Sequence, residues 1–191
     1  MQLAKEVEKK FSYSDYLTWP DEERWEIING EAYNMGPAPL IKHQKIAGSF
    51  FSFLLQKLKD KSCQPFIAPT DVVLTKYDIV QPDVFVVCGS KKITESNIQG
   101  VPDLVIEVLS PSTALTDKRE KKALYEKHGV REYLLIDPVG LYAERFTLVN
   151  GAFTGTKVFG AKEVLTLSSL EGLEVPLWEI FEQEAPEVKK K

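Results

Sequence analysis

Three charged side chains in this 191-residue chain stand where chemistry could be done. They are Asp83 in Val80-Gln81-Pro82-Asp83-Val84, Glu107 in Leu104-Val105-Ile106-Glu107-Val108-Leu109, and Lys121 in Asp117-Lys118-Arg119-Glu120-Lys121. Glu107 interrupts an apolar strand, where a carboxylate loses the water it would otherwise keep. Its burial is costly unless a metal, a proton or a cation compensates. Two carboxylates and a lysine converging on one point suit a hard divalent cation. Mg2+ or Mn2+ held by carboxylate oxygens activates water and stabilises charge on a phosphoryl oxygen, and the ammonium adds a positive charge for the transition state.

The elements that would position these groups follow from periodicity. Side chains alternate along a strand, so Val105, Glu107 and Leu109 share one face and Leu104, Ile106 and Val108 the other. Asp103 has the parity of Glu107, but the intervening strand separates their Cα atoms by roughly 13 Å, too far for a shared ion. Asp83 begins its strand and Glu107 nears the end of the next, so antiparallel pairing brings the two together. At about 100° per residue, Lys121 falls between Leu124 and Tyr125, on the face that packs on the sheet, with Lys118 and Lys122 toward solvent. This helix follows the Glu107 strand directly, and ligand sites in open α/β sheets form at that end of the strands.

Around this core the chain reads as one domain over residues 1–181, with 182–191 a charged tail expected to be disordered. The first dozen residues read as loose up to Phe11, and Ser14-Asp15-Tyr16-Leu17 as a short helix. Asn29-Gly30 predicts a tight hairpin between Glu26-Ile27-Ile28 and Glu31 to Met35, closed off by Pro37 and Pro39. Ile46, Phe50, Phe53, Leu54 and Leu58 mark an amphipathic helix within residues 40–60. Two antiparallel strands are expected over Phe66 to Leu74 and Val80 to Cys88, then strands over Asp103 to Leu109 and Glu132 to Asp137 flanking a helix from Asp117 to His128. Gly129 is placed as the stop of that helix. A strand, a helix and a further strand make a parallel crossover. The expected fold class is therefore α/β (α+β), a mixed central sheet flanked by helices in the order helix, strand, strand, strand, helix, strand. An additional C-terminal hairpin is expected around Asn150-Gly151.

Composition narrows the class. With 43% hydrophobic and 27% charged residues the chain is an ordinary globular protein, and no stretch approaches the ~20 apolar residues of a membrane span. The start lacks the apolar run of a secretory signal, so the expected location is the cytoplasm, and Cys63 and Cys88 read as two reduced thiols rather than a disulfide framework or a zinc site. The formal charge of −4 provides no general attraction to nucleic acid, although a local basic face can still bind phosphates.

The segments Val80-Gln81-Pro82-Asp83, Val101 to Thr113, Glu120-Lys121 and Gly129-Val130-Arg131-Glu132-Tyr133, with Trp25 to Glu31 and His43-Gln44, resemble the Uma2 family of restriction endonucleases, within the PD-(D/E)XK nuclease superfamily. The resemblance runs from about Tyr16 to Leu177. It implies a restriction-endonuclease-like core and a metal-dependent endonuclease that hydrolyses DNA, with Mg2+ or Mn2+ on Asp83 and Glu107. The superfamily's usual lysine, two residues after the glutamate, is Leu109 here, and the Uma2 pattern moves it onto the next helix, where Lys121 matches.

The resemblance also implies that at least one of Glu26 and Glu31 approaches the metal. Glu31 is favoured, without a physical reason that separates the two. His43 and Gln44 are candidate substrate contacts, and Tyr125 is assigned to the core. Cutting both strands of a duplex favours a homodimer. A structural ion pair between Glu107 and Lys121 is the competing account of the buried charge. A catalytically silent nucleic-acid-binding or scaffold domain, and a hydrolase of another phosphodiester, are the alternative functions.

Overall fold

The computed structural model describes residues 9–20, 22–36 and 40–187. Its elements are α1 (Tyr13–Tyr16), β1 (Trp25–Ile28), β2 (Glu31–Asn34), α2 (Ile41–Lys57), β3 (Cys63–Ile67), β4 (Val72–Thr75), β5 (Asp78–Val80), β6 (Val84–Cys88), β7 (Ile98–Gln99) and β8 (Leu104–Val108). A helical run follows as α3 (Ala114–Thr116), a π turn (Asp117–Lys121) and α4 (Lys122–His128). The chain continues through β9 (Glu132–Asp137), β10 (Tyr142–Val149), β11 (Ala152–Gly160), β12 (Val164–Leu167), β13 (Leu173–Pro176) and α5 (Leu177–Ile180).

A six-stranded sheet in the order β11-β10-β9-β8-β6-β3 carries the core. Only the β8–β9 pair in it is parallel, as expected for strands joined through a helix. One face packs on α2, where Ile46, Phe50 and Leu54 meet Val84, Val86, Leu104 and Ile106. The other packs on α4, where Leu124 and Tyr125 meet Phe85, Val87, Val105 and Leu135. Strand alternation thus sorts the two helices onto opposite faces, and Glu107 has the parity of the α4 face.

The long strand expected from Phe66 to Leu74 is two strands in different sheets. β3 pairs with β6, whereas β4 pairs with β5 in a second sheet ordered β2-β1-β5-β4-β7. Pro69 lacks a ladder donor and the Thr70 hydroxyl donates to the Ile67 carbonyl at 3.0 Å, which turns the chain between them. The return crossing passes through Pro82 and Asp83, so Asp83 lies at the seam between the sheets. The helix expected to start at Asp117 begins at Ala114 and widens into a π turn at Asp117–Lys121. It ends at Gly129, whose φ of 84° lets Val130 N donate to the Tyr125 carbonyl.

At the β1–β2 turn both Asn29 and Gly30 have positive φ, the requirement of the expected two-residue hairpin. Pro37 and Pro39, expected to close the hairpin, lie outside the described residues, as do residues 1–8 and 188–191. Phe11 is tied down, its N–H donating to the Gly30 carbonyl and its ring set against Trp19. Within the expected tail, Glu182 pairs with Lys45 at 2.8 Å and Gln183 N donates to the Trp178 carbonyl.

The two cysteines depart from expectation. Cys63 and Cys88 form a disulfide between directly opposed residues of β3 and β6. Their separation of 25 residues gives no spacing cue in the sequence, and the pairing register alone brings them together. The disulfide replaces the two reduced thiols expected from the sequence. Among the described residues no helix is long and apolar enough to cross a membrane.

Asp78 fastens the hairpin to the main helix. Its carboxylate accepts from Asn29 N at 2.7 Å, Thr75 Oγ1 at 2.9 Å and His128 Nε2 at 2.9 Å. Burial alone would raise its pKa, but the hydrogen bonds from Asn29, Thr75 and His128 and the charge of Lys127 together hold it below the ordinary 3.8. A depressed carboxyl contributes stability that is present above the unfolded pKa and is lost as pH falls through the folded one. Asp78→Asn is therefore expected to lose about 1.5–3 kcal/mol near neutrality. In urea titrations at a series of pH values, the gap from wild type should close as pH falls below 3.8. A gap that persists at the most acid pH would show that the charge is not the stabilising feature.

Candidate functional site

β6 and β8 run antiparallel with Val84 opposite Ile106, so Asp83 and Glu107 are the next facing pair in that register. Hydrogen bonds close the pair in both directions. Asp83 N donates to Glu107 Oε2 at 3.2 Å, and Val108 N donates to Asp83 Oδ2 at 2.8 Å. Asp103 lies at the opposite end of β8, accepting from Cys88 N at 2.8 Å and pairing with Lys92 and Arg131.

The helical run delivers three groups to the same place. Asp117, Lys121 and Tyr125 recur at four-residue intervals and all are buried. The wider π turn keeps both Asp117 and Lys121 on the sheet-facing side, and such turns recur at functional positions. Lys121 Nζ lies 2.9 Å from Glu26 Oε1, 3.1 Å from Glu107 Oε1 and 3.6 Å from Asp117 Oδ1. Tyr125 donates its hydroxyl to the same Glu107 Oε1 at 2.9 Å. Tyr133 packs against Tyr125 and donates to the Asp117 carbonyl at 3.0 Å, bracing the π turn from β9.

Glu26, not Glu31, supplies the hairpin's carboxylate. The pairs Glu26–Tyr33 and Ile28–Glu31 put both glutamates on one face, so strand parity does not separate them. Position in the sheet does. β1 lies between β2 and β5, so Glu26 is buried and also accepts from Gln81 N at 2.8 Å. β2 is an edge strand, and Glu31 is exposed beside the hydroxyl of Tyr33.

The two residues weighed as substrate contacts separate in the same way. His43, on α2, is 7% exposed, with Nε2 placed 3.1 Å from Asp83 Oδ2. The ring is enclosed and its Nε2 faces Asp83 rather than the surface. Gln44 is exposed and lines a groove of about 430 Å³ between α2 and the C-terminal residues Glu179, Ile180 and Glu182. Lys57, at the far end of α2, is about 21 Å along the helix axis from His43, and Lys92 is committed to the Val101 carbonyl and Asp103.

The electrostatics follow from burial. Desolvation pushes the Glu107 carboxyl well above its usual range, and the negative charges of Asp83, Asp117 and Glu26 add to this against the pull of Lys121. Burial likewise raises Asp117. Burial opposes the Lys121 ammonium, but Glu107, Glu26 and Asp117 outweigh it and hold the lysine well above its usual pKa, firmly charged. Tyr125 is pushed up by burial and by Glu107, so it keeps the proton it donates. Burial disfavours a charged His43 ring, yet the hydrogen bond and charge of Asp83 raise its pKa. Four carboxyl groups against one lysine leave an excess of negative charge that a proton or a divalent cation would relieve.

Sequence reasoning does not single out Asp117 and assigns Tyr125 to the core, although both carry a legible signal, the four-residue spacing about Lys121. Glu26 is weighed beside Glu31 and ranked second, because its place in the hairpin does not by itself separate them.

Comparison with known proteins gives a consistent setting. Residues 13–178 match the family described as "Uma2: Putative restriction endonuclease". Two relatives from Synechocystis sp. are similar. "Uncharacterized protein slr1290" is 29% identical over 133 residues, 66% of this chain and 68% of the relative, and "Uncharacterized protein sll1609" is 27% identical over 148 residues, 74% and 83%. Among solved structures, a "putative nuclease belonging to DUF820 from Anabaena variabilis" superposes with a TM-score of 0.74 at 22% identity, covering 90% of this chain and 98% of that one. At that identity the likeness speaks for the fold, a mixed α+β arrangement with a restriction-endonuclease-like core.

Removing the one lysine among these carboxylates leaves buried charge uncompensated. Lys121→Met is expected to cost about 3–5 kcal/mol, read from the shift of the urea unfolding midpoint. An unchanged midpoint would mean that the carboxylates are solvated and do not depend on Lys121.

Proposed function

The chain belongs to the Uma2 family, and on that premise we propose that it is a metal-dependent endonuclease that hydrolyses DNA phosphodiester bonds. The observation that supports this reading best is the facing pair Asp83 and Glu107 beside the buried Lys121. Each carboxylate keeps an oxygen that protein side chains do not occupy. Glu107 Oε1 is spent on Lys121 and Tyr125, while Oε2 takes only the Asp83 N–H. Asp83 Oδ2 is spent on Val108 N and His43, while Oδ1 has no partner among the described residues.

This donor set fits Mg2+ or Mn2+. Among the described residues no three His, Cys, Asp or Glu side chains form a metal-holding group, so a closed zinc-type set is not offered. Mg2+ binds through one or two carboxylates and completes its shell with waters and substrate phosphate. Asp83 and Glu107 would hold the ion, and when bound it would polarise a phosphoryl oxygen and lower the pKa of a water.

The chain's own residues do the rest. Lys121 places a fixed positive charge against Glu107 and tethers Glu26 and Asp117, so the site stays assembled before substrate arrives. Asp83, 22% exposed at its side chain, forms the open mouth. A homodimer would offer two such mouths to the two strands of a duplex.

A second reading, a catalytically silent nucleic-acid-binding domain, is favoured by one observation. The Lys121 ammonium faces three carboxylates and is 4% exposed, which leaves it no open path to a substrate. Incubation with supercoiled plasmid and Mg2+ or Mn2+ distinguishes the two. Nicking by the wild type that is lost with chelator and in Asp83→Ala is expected. Equal nicking by both proteins would sink the mechanism, and duplex binding without cleavage would favour the silent domain.

A further inference from the structure

The site places two side chains, His43 and Tyr125, whose contacts have the same form although they come from opposite faces of the sheet. Each meets one oxygen of one facing carboxylate. His43 Nε2 is 3.1 Å from Asp83 Oδ2, and the Tyr125 hydroxyl is 2.9 Å from Glu107 Oε1. In both cases a second donor shares that oxygen, Val108 N at 2.8 Å for Asp83 and Lys121 Nζ at 3.1 Å for Glu107. A carboxylate gripped at one oxygen by two donors has little freedom to rotate, which fixes where the other oxygen points.

We propose that His43 and Tyr125 are positioning residues, each pinning one oxygen of a metal-ligating carboxylate so that Asp83 Oδ1 and Glu107 Oε2 are left for the cation. The inference rests on the nuclease reading above and goes beyond it by assigning the ligating atoms and the groups that orient them. Groups that hydrogen-bond metal ligands from behind set ligand orientation and affinity in just this manner.

Packing gives a second reason to assign His43 a task. Its ring is buried on α2, and Nδ1 has no hydrogen-bond partner among the described residues. A buried polar atom left unpaired costs about 1–3 kcal/mol, so an apolar side chain at this helix position would serve the core better. What the imidazole adds is the Nε2 contact to Asp83. Tyr125 is a comparable case. It is fully buried against Tyr133, where phenylalanine would pack as well, and its hydroxyl is used on Glu107.

The test is a calorimetric Mn2+ titration of the full chain, with electron paramagnetic resonance of bound Mn2+ as a second readout, in wild type, His43→Ala, His43→Gln and Tyr125→Phe. His43→Ala is expected to weaken Mn2+ about 10- to 100-fold. His43→Gln should recover most of that, because the glutamine side-chain amide can place an N–H close to where Nε2 stood. Tyr125→Phe, which keeps the aromatic packing, should also weaken Mn2+ and should carry the test if His43→Ala folds poorly. Wild-type binding with unchanged affinity in His43→Ala and Tyr125→Phe would overturn the positioning role and leave the nuclease reading standing. A wild type that binds no Mn2+ would overturn both.

Discussion

The contact between Lys121 and Glu107 is the constraint on which the rest of the site depends. It joins a strand from the centre of the large sheet to the helical run that covers it, and Glu26 on the same ammonium brings in the small sheet. Three layers meet at one nitrogen. The cost of desolvating these charges is repaid only if the partners hold their geometry, and the structure provides several restraints. The π turn is braced by Tyr133, Glu107 is bonded from three sides, and Glu26 is anchored to the Gln81 backbone. The negative charge that remains is concentrated where Asp83 opens toward solvent.

A second buried glutamate shows why environment decides function. Glu132, at the start of β9 ahead of the apolar run Tyr133-Leu134-Leu135-Ile136, is fully buried like Glu107. Its two oxygens accept from the backbone and hydroxyl groups of Ser168 and Ser169 at 2.7–3.2 Å. Those donors, with the Arg145 guanidinium 3.8 Å from Oε1, satisfy the carboxylate and fasten the C-terminal segment to the large sheet. Glu107 instead shares its surroundings with Asp83, Asp117 and Glu26, so its charge is left partly uncompensated. One glutamate is a fastening; the other sits among acids that a single lysine does not neutralise.

The seam between the two sheets provides the opening. Because the ribbon of β3–β6 leaves the large sheet and continues as β4–β5 in the small one, Asp83 falls where neither sheet covers it fully. His43 from the α2 layer and Val108 from β8 reach it there. A continuous long hairpin, as the run Phe66 to Leu74 suggests by itself, would have buried this position and left no mouth.

Much of this was legible in local chemistry. The alternation of Leu104 to Leu109 set the face of Glu107, helical rotation set that of Lys121, and Asn29-Gly30 marked the hairpin, because backbone geometry imposes periods of 2 and 3.6 on any chain. The pairing of Asp83 with Glu107 also follows from strand direction once the strands are taken as neighbours. What local pattern could not decide was which residues distant in sequence share a point in space. Glu26 and Glu31 lie on one face of one hairpin, and only the placement of β1 inside the sheet and β2 at its edge buries the first and exposes the second. The disulfide depends likewise on the β3–β6 register, and the His43 contact on α2 packing over the end of β6. Such choices are made by layer packing and strand order, which involve long-range neighbours that no short window of sequence contains.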